Sequence, residues 1–172
     1  RIFIDWRDAQ RDNSSTSFTD SNGRKTAFTY ASMTSDLVYT KGTGSTYPIV
    51  DVAVPLCVTS QVNETGASSV SSQQHYTYAG LRAHLTGRGL LGFRSTTVSE
   101  TNTGKVVTST TGNDAPVFFV PRTNTITTMQ AGTTSTVVDN ATLCTYSYGS
   151  QTNYALFPTS QTATDIYGNV TS

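Results

Sequence analysis

The chain carries little charge of either sign. Lys, Arg, Asp and Glu together make up 13% of its 172 residues, and the formal net charge at pH 7 is +0. Without a basic excess, the sequence has no electrostatic footprint for nucleic acid or for an anionic membrane surface. Disordered chains, in contrast, combine low hydrophobicity with high net charge. The sequence therefore predicts a folded protein that does not bind nucleic acid.

Long hydrophobic runs are absent as well. Apolar residues make up 35% of the chain, and no run of them approaches the about 20 residues that a membrane-spanning helix needs. No window shows a convincing apolar repeat with the period of an α-helix. We expect neither a membrane span nor a helix of consequence.

Cysteine and histidine are scarce, with two residues of each type. Cys57 and Cys144 could form one disulfide in an oxidising compartment, or both could be buried thiols that pack as small hydrophobic side chains. Together with His75 and His84 they do not show the spacing of a zinc site. The sequence therefore predicts no metal and no cofactor.

Candidates for catalysis are equally few. Histidine is the side chain that titrates near neutrality, and a Ser-His-Asp set could be drawn from many of the 20 serines, so no single set is favoured. His84 lies between Ala83 and Leu85, and we interpret it as a strand residue rather than a catalytic one. The sequence predicts that the protein is not an enzyme and that it has no catalytic residues.

Threonine and serine dominate the composition, with 33 and 20 residues. Threonine, valine and tyrosine favour strands, and Gly, Pro and Asn-Gly signals divide the chain into roughly a dozen short segments. The predicted fold class is all-β, with many short antiparallel strands in a curved sheet or a sandwich. Residues 1–25 hold nine of the 22 charged residues and are predicted to be a charged N-terminal segment or linker. Residues 26–172 are predicted to be a single all-β domain.

Several strands are predicted individually. Residues 93–100 and 105–110 flank a Thr-Asn-Thr-Gly connection and predict a hairpin. Residues 117–120 are apolar, lie between two prolines and predict a buried strand. Four further strands are predicted at residues 124–129, 133–138, 143–148 and 154–157, the last ended by Pro158. Residues 165–171 predict a strand that contains a glycine.

Residues 76–93 form the most distinctive stretch. It begins with two tyrosines at the spacing of one strand face and ends with three glycines. Glycine within a strand pattern marks a bulge or a bend with positive φ. We therefore predict a strand, a sharp glycine corner and a second strand that starts at Leu90. The signature residues are Tyr76, Tyr78, Gly87, Arg88, Gly89, Gly92 and Phe93.

These residues resemble part of the Rhs/YD-repeat protein family, in the segment that joins an N-terminal SpvB-like region to the YD-repeat shell, as in the B components of Tc toxins. Residues 76–82 and 87–93 resemble the central signature of that segment, and Thr103-Gly104 falls at the expected turn. Residues 165–170 resemble the entry to a repeat. Weaker similarity lies in residues 27–39 and 47–58.

The resemblance implies a role without a catalytic site. In this family, strands spiral into a hollow shell around a C-terminal toxin. This chain would then be a structural segment of a larger β-shell in a bacterial virulence protein that is secreted or displayed on the cell surface. Its partners would be the remainder of the parent chain and the toxin cargo. The alternative is an adhesin or a carbohydrate-binding β-sandwich, because chains rich in Thr and Ser and low in charge are common there too.

Three arginines recur every six residues in and beside the signature. On an undistorted strand, Arg82, Arg88 and Arg94 would share one face. They could form a basic strip that faces the cargo. We favour the alternative in which they face solvent or donate hydrogen bonds to backbone carbonyls, because a bulge would break the even spacing.

Overall fold

The computed structural model describes residues 15–66, 71–114 and 120–171. Twelve strands form one sheet, and no helix occurs within these ranges. The sheet does not close into a barrel. The all-β prediction is confirmed, and of the two predicted architectures the described residues form one open sheet. The strands are β1 (Ser17–Thr19), β2 (Lys25–Ser32), β3 (Tyr39–Thr40), β4 (Ile49–Asp51), β5 (Cys57–Thr65), β6 (Ser71–His84), β7 (Gly89–Glu100), β8 (Val106–Asp114), β9 (Val120–Gln130), β10 (Thr133–Tyr148), β11 (Gln151–Thr164) and β12 (Val170–Thr171).

The strands lie in the sheet almost in the order in which they occur in the chain. The order is β1-β2-β5-β6-β7-β8-β9-β10-β11-β12, and every pair along it is antiparallel. The remaining two strands, β3 and β4, both pair with β6. Each hairpin therefore adds to the one before it, so that the sheet grows in one direction with the sequence.

The small core lies where β5 diverges from β6. β5 pairs with β6 only as far as His75, and residues 33–56 fill the space beyond it with β3 and β4. Met33, Tyr39 and Leu81 are almost fully buried there. The partly buried residues packed around them are Val52, Val54, Val58, Tyr78 and Phe93.

The predicted hairpin after the signature is confirmed. β7 and β8 pair from Ser99 and Val106 onward, and the amide of Gly104 donates to the carbonyl of Glu100 at 3.0 Å. Gly104 has a φ of 64°, which explains why glycine ends this four-residue connection.

The strands near the C-terminus are longer than the sequence predicts. The two strands predicted at residues 133–138 and 143–148 are one strand, β10, with a register shift between Asn140 and Ala141. β11 continues through Pro158, which was predicted to end it. Pro158 is paired with Ala141 at this irregularity. A bulge already interrupts the ladder of hydrogen bonds there, so a residue without an N–H is tolerated.

Two other predicted segments lie only partly within the described residues. Of the buried strand predicted at residues 117–120, only Val120 is described, as the first residue of β9. Residues 15–25, which were assigned to the charged N-terminal segment, contribute β1 and the first residue of β2 to the sheet.

Candidate functional site

The signature folds into the β6–β7 hairpin and its glycine corner. Tyr78 lies in β6, and its ring centroid is 4.8 Å from that of Phe93 in β7. The Phe93 ring also contacts Tyr39, at a centroid separation of 6.2 Å. Such offset, tilted aromatic pairs add to the free energy gained by burial. These signature residues therefore contribute to the core rather than to an exposed binding surface.

The predicted glycine corner is confirmed by the backbone angles. Gly87, Gly89 and Gly92 have φ values of 106°, 73° and 88°. The register shifts opposite Arg82 and Ala83, which leaves Leu91 as an extra residue in β7. Leu91 is only 5% exposed, so the bulge turns this side chain inward.

Gly80 belongs to the same hairpin, although it was not among the predicted signature residues. Its φ is 65°, and a Cβ built on it would lie 2.9 Å from the Cβ of Arg94. A glycine between Ala79 and Leu81 in a strand pattern was the available signal, since such glycines mark close backbone approach. Gly80 therefore leaves room for the side chain of Arg94, which lies across it.

Gly42 approaches Gly80 from the loop that joins β3 and β4. A Cβ on Gly42 would lie 3.0 Å from the Cα of Gly80 and 2.6 Å from Oδ1 of Asp51. The amide of Ser45 donates to Oδ2 of Asp51 at 3.0 Å, and Nη1 of Arg94 donates to the carbonyl of Thr43 at 3.2 Å. These contacts hold the loop against β6.

One aspartate and two arginines lie around this loop and shift one another's pKa values. Burial alone would raise the pKa of Asp51, but hydrogen bonds from Ser45 and the charges of Arg94 and Arg82 outweigh it and lower that pKa. Burial, together with the like charge of Arg94, lowers the pKa of Arg82. Asp51 is therefore an ionised anchor for the loop at neutral pH.

The three regularly spaced arginines do not form one basic strip. Arg82 is 8% exposed, and its Nη2 donates to the carbonyl of Thr111 at 3.3 Å. Arg94 donates to the carbonyl of Thr43, whereas Arg88 is exposed in the turn between β6 and β7. The favoured interpretation, hydrogen bonds to backbone carbonyls, describes Arg82 and Arg94. Arg88 lies in the turn between the two strands, so the even spacing does not place all three arginines on one strand face.

The two histidines lie far apart on β6. His84 is 8% exposed, and its Nδ1 lies 3.3 Å from the amide nitrogen and 3.2 Å from Oγ1 of Thr86. His75 is exposed and paired with Ser99. Their nine-residue separation along a strand corresponds to roughly 30 Å, so the two cannot act on one substrate. In the described part of the chain, no group of three or more His, Cys, Asp or Glu residues could hold a metal ion.

The two cysteines occupy distant strands. Cys57 is a partly buried free thiol at the start of β5. Cys144 belongs to β10, and the described residues do not include its side chain. β6, β7, β8 and β9 lie between these two strands in the sheet. A disulfide needs Cα atoms within about 7 Å, so this arrangement does not favour a bond between Cys57 and Cys144.

The same five-residue turn closes the outermost hairpin at each end of the sheet. In the turn at residues 20–24, Oδ1 of Asp20 accepts hydrogen bonds from the amides of Asn22 and Arg24, both at 2.9 Å. In the turn at residues 165–169, Oδ1 of Asp165 accepts from the amides of Tyr167 and Asn169, both at 2.8 Å. The fourth residue of both turns is a glycine with positive φ.

Two backbone hydrogen bonds also recur in both turns. The aspartate amide donates to the carbonyl of the fifth residue at 2.9 Å, and the glycine amide donates to the aspartate carbonyl at 3.0 Å in the first turn and 3.1 Å in the second. The strand predicted at residues 165–171 was therefore wrong over most of its length, and only Val170–Thr171 form β12. The aspartate side chain satisfies the turn amides locally, which competes with strand pairing.

No family model, curated protein or solved structure matches this chain. The resemblance to Rhs/YD-repeat proteins therefore stays a prediction. Over the ranges that the structure describes, no helix is long and apolar enough to cross a membrane.

A shallow groove of about 330 Å³ lies where the β7–β8, β9–β10 and β11–β12 connections meet. Five of its seven lining residues are polar, and one of these, Lys105, is charged. This volume is at the lower limit of small-molecule sites. The lining residues are Lys105, Thr128, Gln130, Ala131, Thr133, Ser135 and Ile166.

Proposed function

We propose that this chain is a non-catalytic wall segment of a larger β-shell, of the Rhs/YD-repeat kind, that encloses a C-terminal toxin cargo. The parent protein would be a bacterial virulence factor that is secreted or displayed on the cell surface. The observation that carries the proposal is the open, sequentially ordered sheet, which ends in the same turn at both edges.

The edges of the sheet support this role. Within the described ranges, β1 and β12 each pair with a strand on one side only. An edge strand presents a row of unpaired backbone N–H and C=O groups that can pair with another strand. Because neighbouring strands follow each other in the sequence, further hairpins could extend the sheet at either edge without changing its interior.

Irregularities in the ladders supply the bending that a shell requires. Four of the strand pairs carry a register shift. Bulges bend the strand that contains them and increase its local twist, and curved sheets are built in this way. The small core beside β6 would fix the geometry at one place and leave the rest of the sheet one layer thick.

Electron cryomicroscopy of the protein encoded by the complete open reading frame tests the proposal. We expect that protein to be far longer than this chain, with β1 and β12 paired to strands outside residues 1–172 in one continuous wall. If these residues instead form a closed, separate module that projects from the parent and has its own ligand pocket, the chain is a binding module and not a wall segment.

The groove beside Lys105 favours one second candidate, a carbohydrate-binding module. Its hydroxyl and amide side chains could contact sugar hydroxyls, and Lys105 could contact an acidic group. A glycan array tests this candidate directly. Saturable binding that is lost in Lys105→Ala but kept in Lys25→Ala, a lysine remote from the groove, would support it over the wall segment.

A further inference from the structure

The register of the sheet places six threonines side by side. Five consecutive strand pairs each align a threonine with a threonine, which forms a row that crosses β6 to β11. Residues paired across antiparallel strands share a face of the sheet. We call this side the threonine face. The row consists of Thr77, Thr97, Thr108, Thr127, Thr136 and Thr164.

The two flanking rows extend the same chemistry. Residues two positions away along each strand share the face, and most of them are also threonine or serine. Neither Asp, Glu, Lys nor Arg occurs in the three rows, and His75 is their one titratable side chain. The flanking residues are His75, Ser99, Val106, Met129 and Thr134 on one side, and Ala79, Ser95, Thr110, Thr125, Val138 and Thr162 on the other.

Two neighbouring hydroxyl groups of the row bond to each other. Oγ1 of Thr97 lies 3.1 Å from Oγ1 of Thr108 on the neighbouring strand. A hydroxyl that is engaged in such a pair has less capacity left for an outside partner. The three rows of the threonine face therefore contain no Asp, Glu, Lys or Arg, and part of their hydroxyl capacity is already used within the sheet.

The opposite face has different chemistry. Tyr76, Val98 and Val107 are aligned there across β6, β7 and β8. Two charged residues of these strands also lie on this side, since Glu100 is paired with Gln74, and Asp139 with Gln161. Charged groups keep a protein surface soluble and limit non-specific association.

We infer that the threonine face lines the interior of the shell and is the surface that contacts the unfolded cargo chain, an inference that rests on the proposed function. An unfolded polypeptide exposes charges of both signs and apolar side chains. Three rows without Asp, Glu, Lys or Arg and with few apolar residues offer no strong site to these groups. The opposite face, which carries Glu100 and Asp139, faces outward.

Thiol accessibility in the full-length parent distinguishes the two faces. Cys57 and Cys144 are replaced by serine, and one cysteine is introduced by Thr108→Cys or by Val107→Cys. These neighbours lie on the same strand and are both partly buried, but point to opposite faces. Each variant is treated with N-ethylmaleimide and with a polyethylene-glycol maleimide that is too large to enter a closed shell. The urea-unfolded protein gives the reference rate.

We expect Thr108→Cys to react with the small maleimide and to react with the large one more slowly by an order of magnitude or more. Val107→Cys should react with both. The reverse pattern would overturn the inward orientation and leave the proposed shell intact. Reaction of both variants with the large reagent would show that no closed shell exists. Protection of both variants would show that the sheet is covered on each side. Either result rejects the inference. A second pair, Thr97→Cys and Val98→Cys, repeats the comparison on β7.

Discussion

The hydroxyl of Tyr39 joins three separate segments of the core. It donates to the carbonyl of Val52 at 2.6 Å and accepts from the amide of Leu81 at 3.0 Å. Tyr39 is 3% exposed, so water does not replace these bonds. One side-chain oxygen thus satisfies two backbone groups where β3, β6 and the chain after β4 meet.

Replacing Tyr39 by phenylalanine should destabilise the protein although the ring is kept. The buried amide of Leu81 and the partly buried carbonyl of Val52 would lose their partner. Such a loss costs about 1–3 kcal/mol for a fully buried group. Urea unfolding measures the change in the free energy of unfolding. Tyr148→Phe is the control, because Tyr148 is 84% exposed and its replacement should change little. Equal stabilities of the two variants would contradict the bridging role of the Tyr39 hydroxyl.

Two glycines with the same backbone angle separate steric from conformational effects. Gly80 has a φ of 65° and Gly104 a φ of 64°, but a Cβ would collide with Arg94 only at Gly80. We expect Gly104→Ala to cost about 1–2 kcal/mol for the left-handed conformation alone. Gly80→Ala should cost a further 1–3 kcal/mol, roughly, because overpacking displaces its neighbours. Thermal unfolding of both variants checks this, and similar losses would show that β6 and β7 can relax around the added methyl group.

At the scale of the element, the turns at residues 20–24 and 165–169 end the sheet in the same way. In both, one aspartate oxygen holds two amides and a glycine permits the return of the chain. The second turn has an additional bond, from Nδ2 of Asn169 to Oδ2 of Asp165 at 2.8 Å. The repetition indicates that these short edge hairpins are stabilised by their turn rather than by a long ladder of hydrogen bonds.

The second turn should weaken in acid. The side chain of Asn169 and the surrounding amides lower the pKa of Asp165 below its ordinary value of 3.8. A lowered pKa means that the folded turn favours the carboxylate, so its contribution is present above the ordinary value and is lost as the pH falls through the lowered one. An NMR titration of Asp165 should show the low pKa and accelerated amide exchange at Tyr167 and Asn169 below it. Asn169→Ala should raise that pKa, and an unchanged value would refute the role of the side-chain bond.

At the scale of the whole molecule, the sheet is wide and its core is small. Among the residues whose burial the structure describes, three hydrophobic residues form the buried cluster, and several large hydrophobic side chains elsewhere are more than half exposed. The formal charge is +0 and the sequence pI is about 6.9. Proteins without net charge associate readily, and open sheet edges give the association a direction.

The isolated chain should therefore self-associate near neutral pH through its edges. A lysine on an edge strand opposes strand pairing, so Thr171→Lys in β12 should shift the protein toward the monomer. Ser150→Lys adds the same charge in the exposed turn between β10 and β11 and serves as the control. Sedimentation velocity measures the distribution. If both lysines dissociate the oligomer equally, net charge rather than the edge controls association.

Local signals in the sequence determined the all-β class, the β7–β8 hairpin and the positive φ values at the glycine corner. These features depend on residues close together in the chain, such as Gly104 after Thr103 or Gly87 beside Arg88, and strand and turn preferences act over that range. Proline signals were misleading at Pro158, because whether a strand tolerates proline depends on the ladder opposite it.

Only the tertiary structure decided the double role of Tyr39, the close approach at Gly80 and the threonine face. Each of these features joins residues from different segments of the chain, and the local sequence does not determine which residues are paired across neighbouring strands. The row from Thr77 to Thr164 exists because five strand pairs align a threonine with a threonine, although three of these pairs shift register elsewhere along their length. A shift of one residue in any pair would move the following threonines to the other face. The sequence supplied the threonines, and the pairing of the strands aligned them.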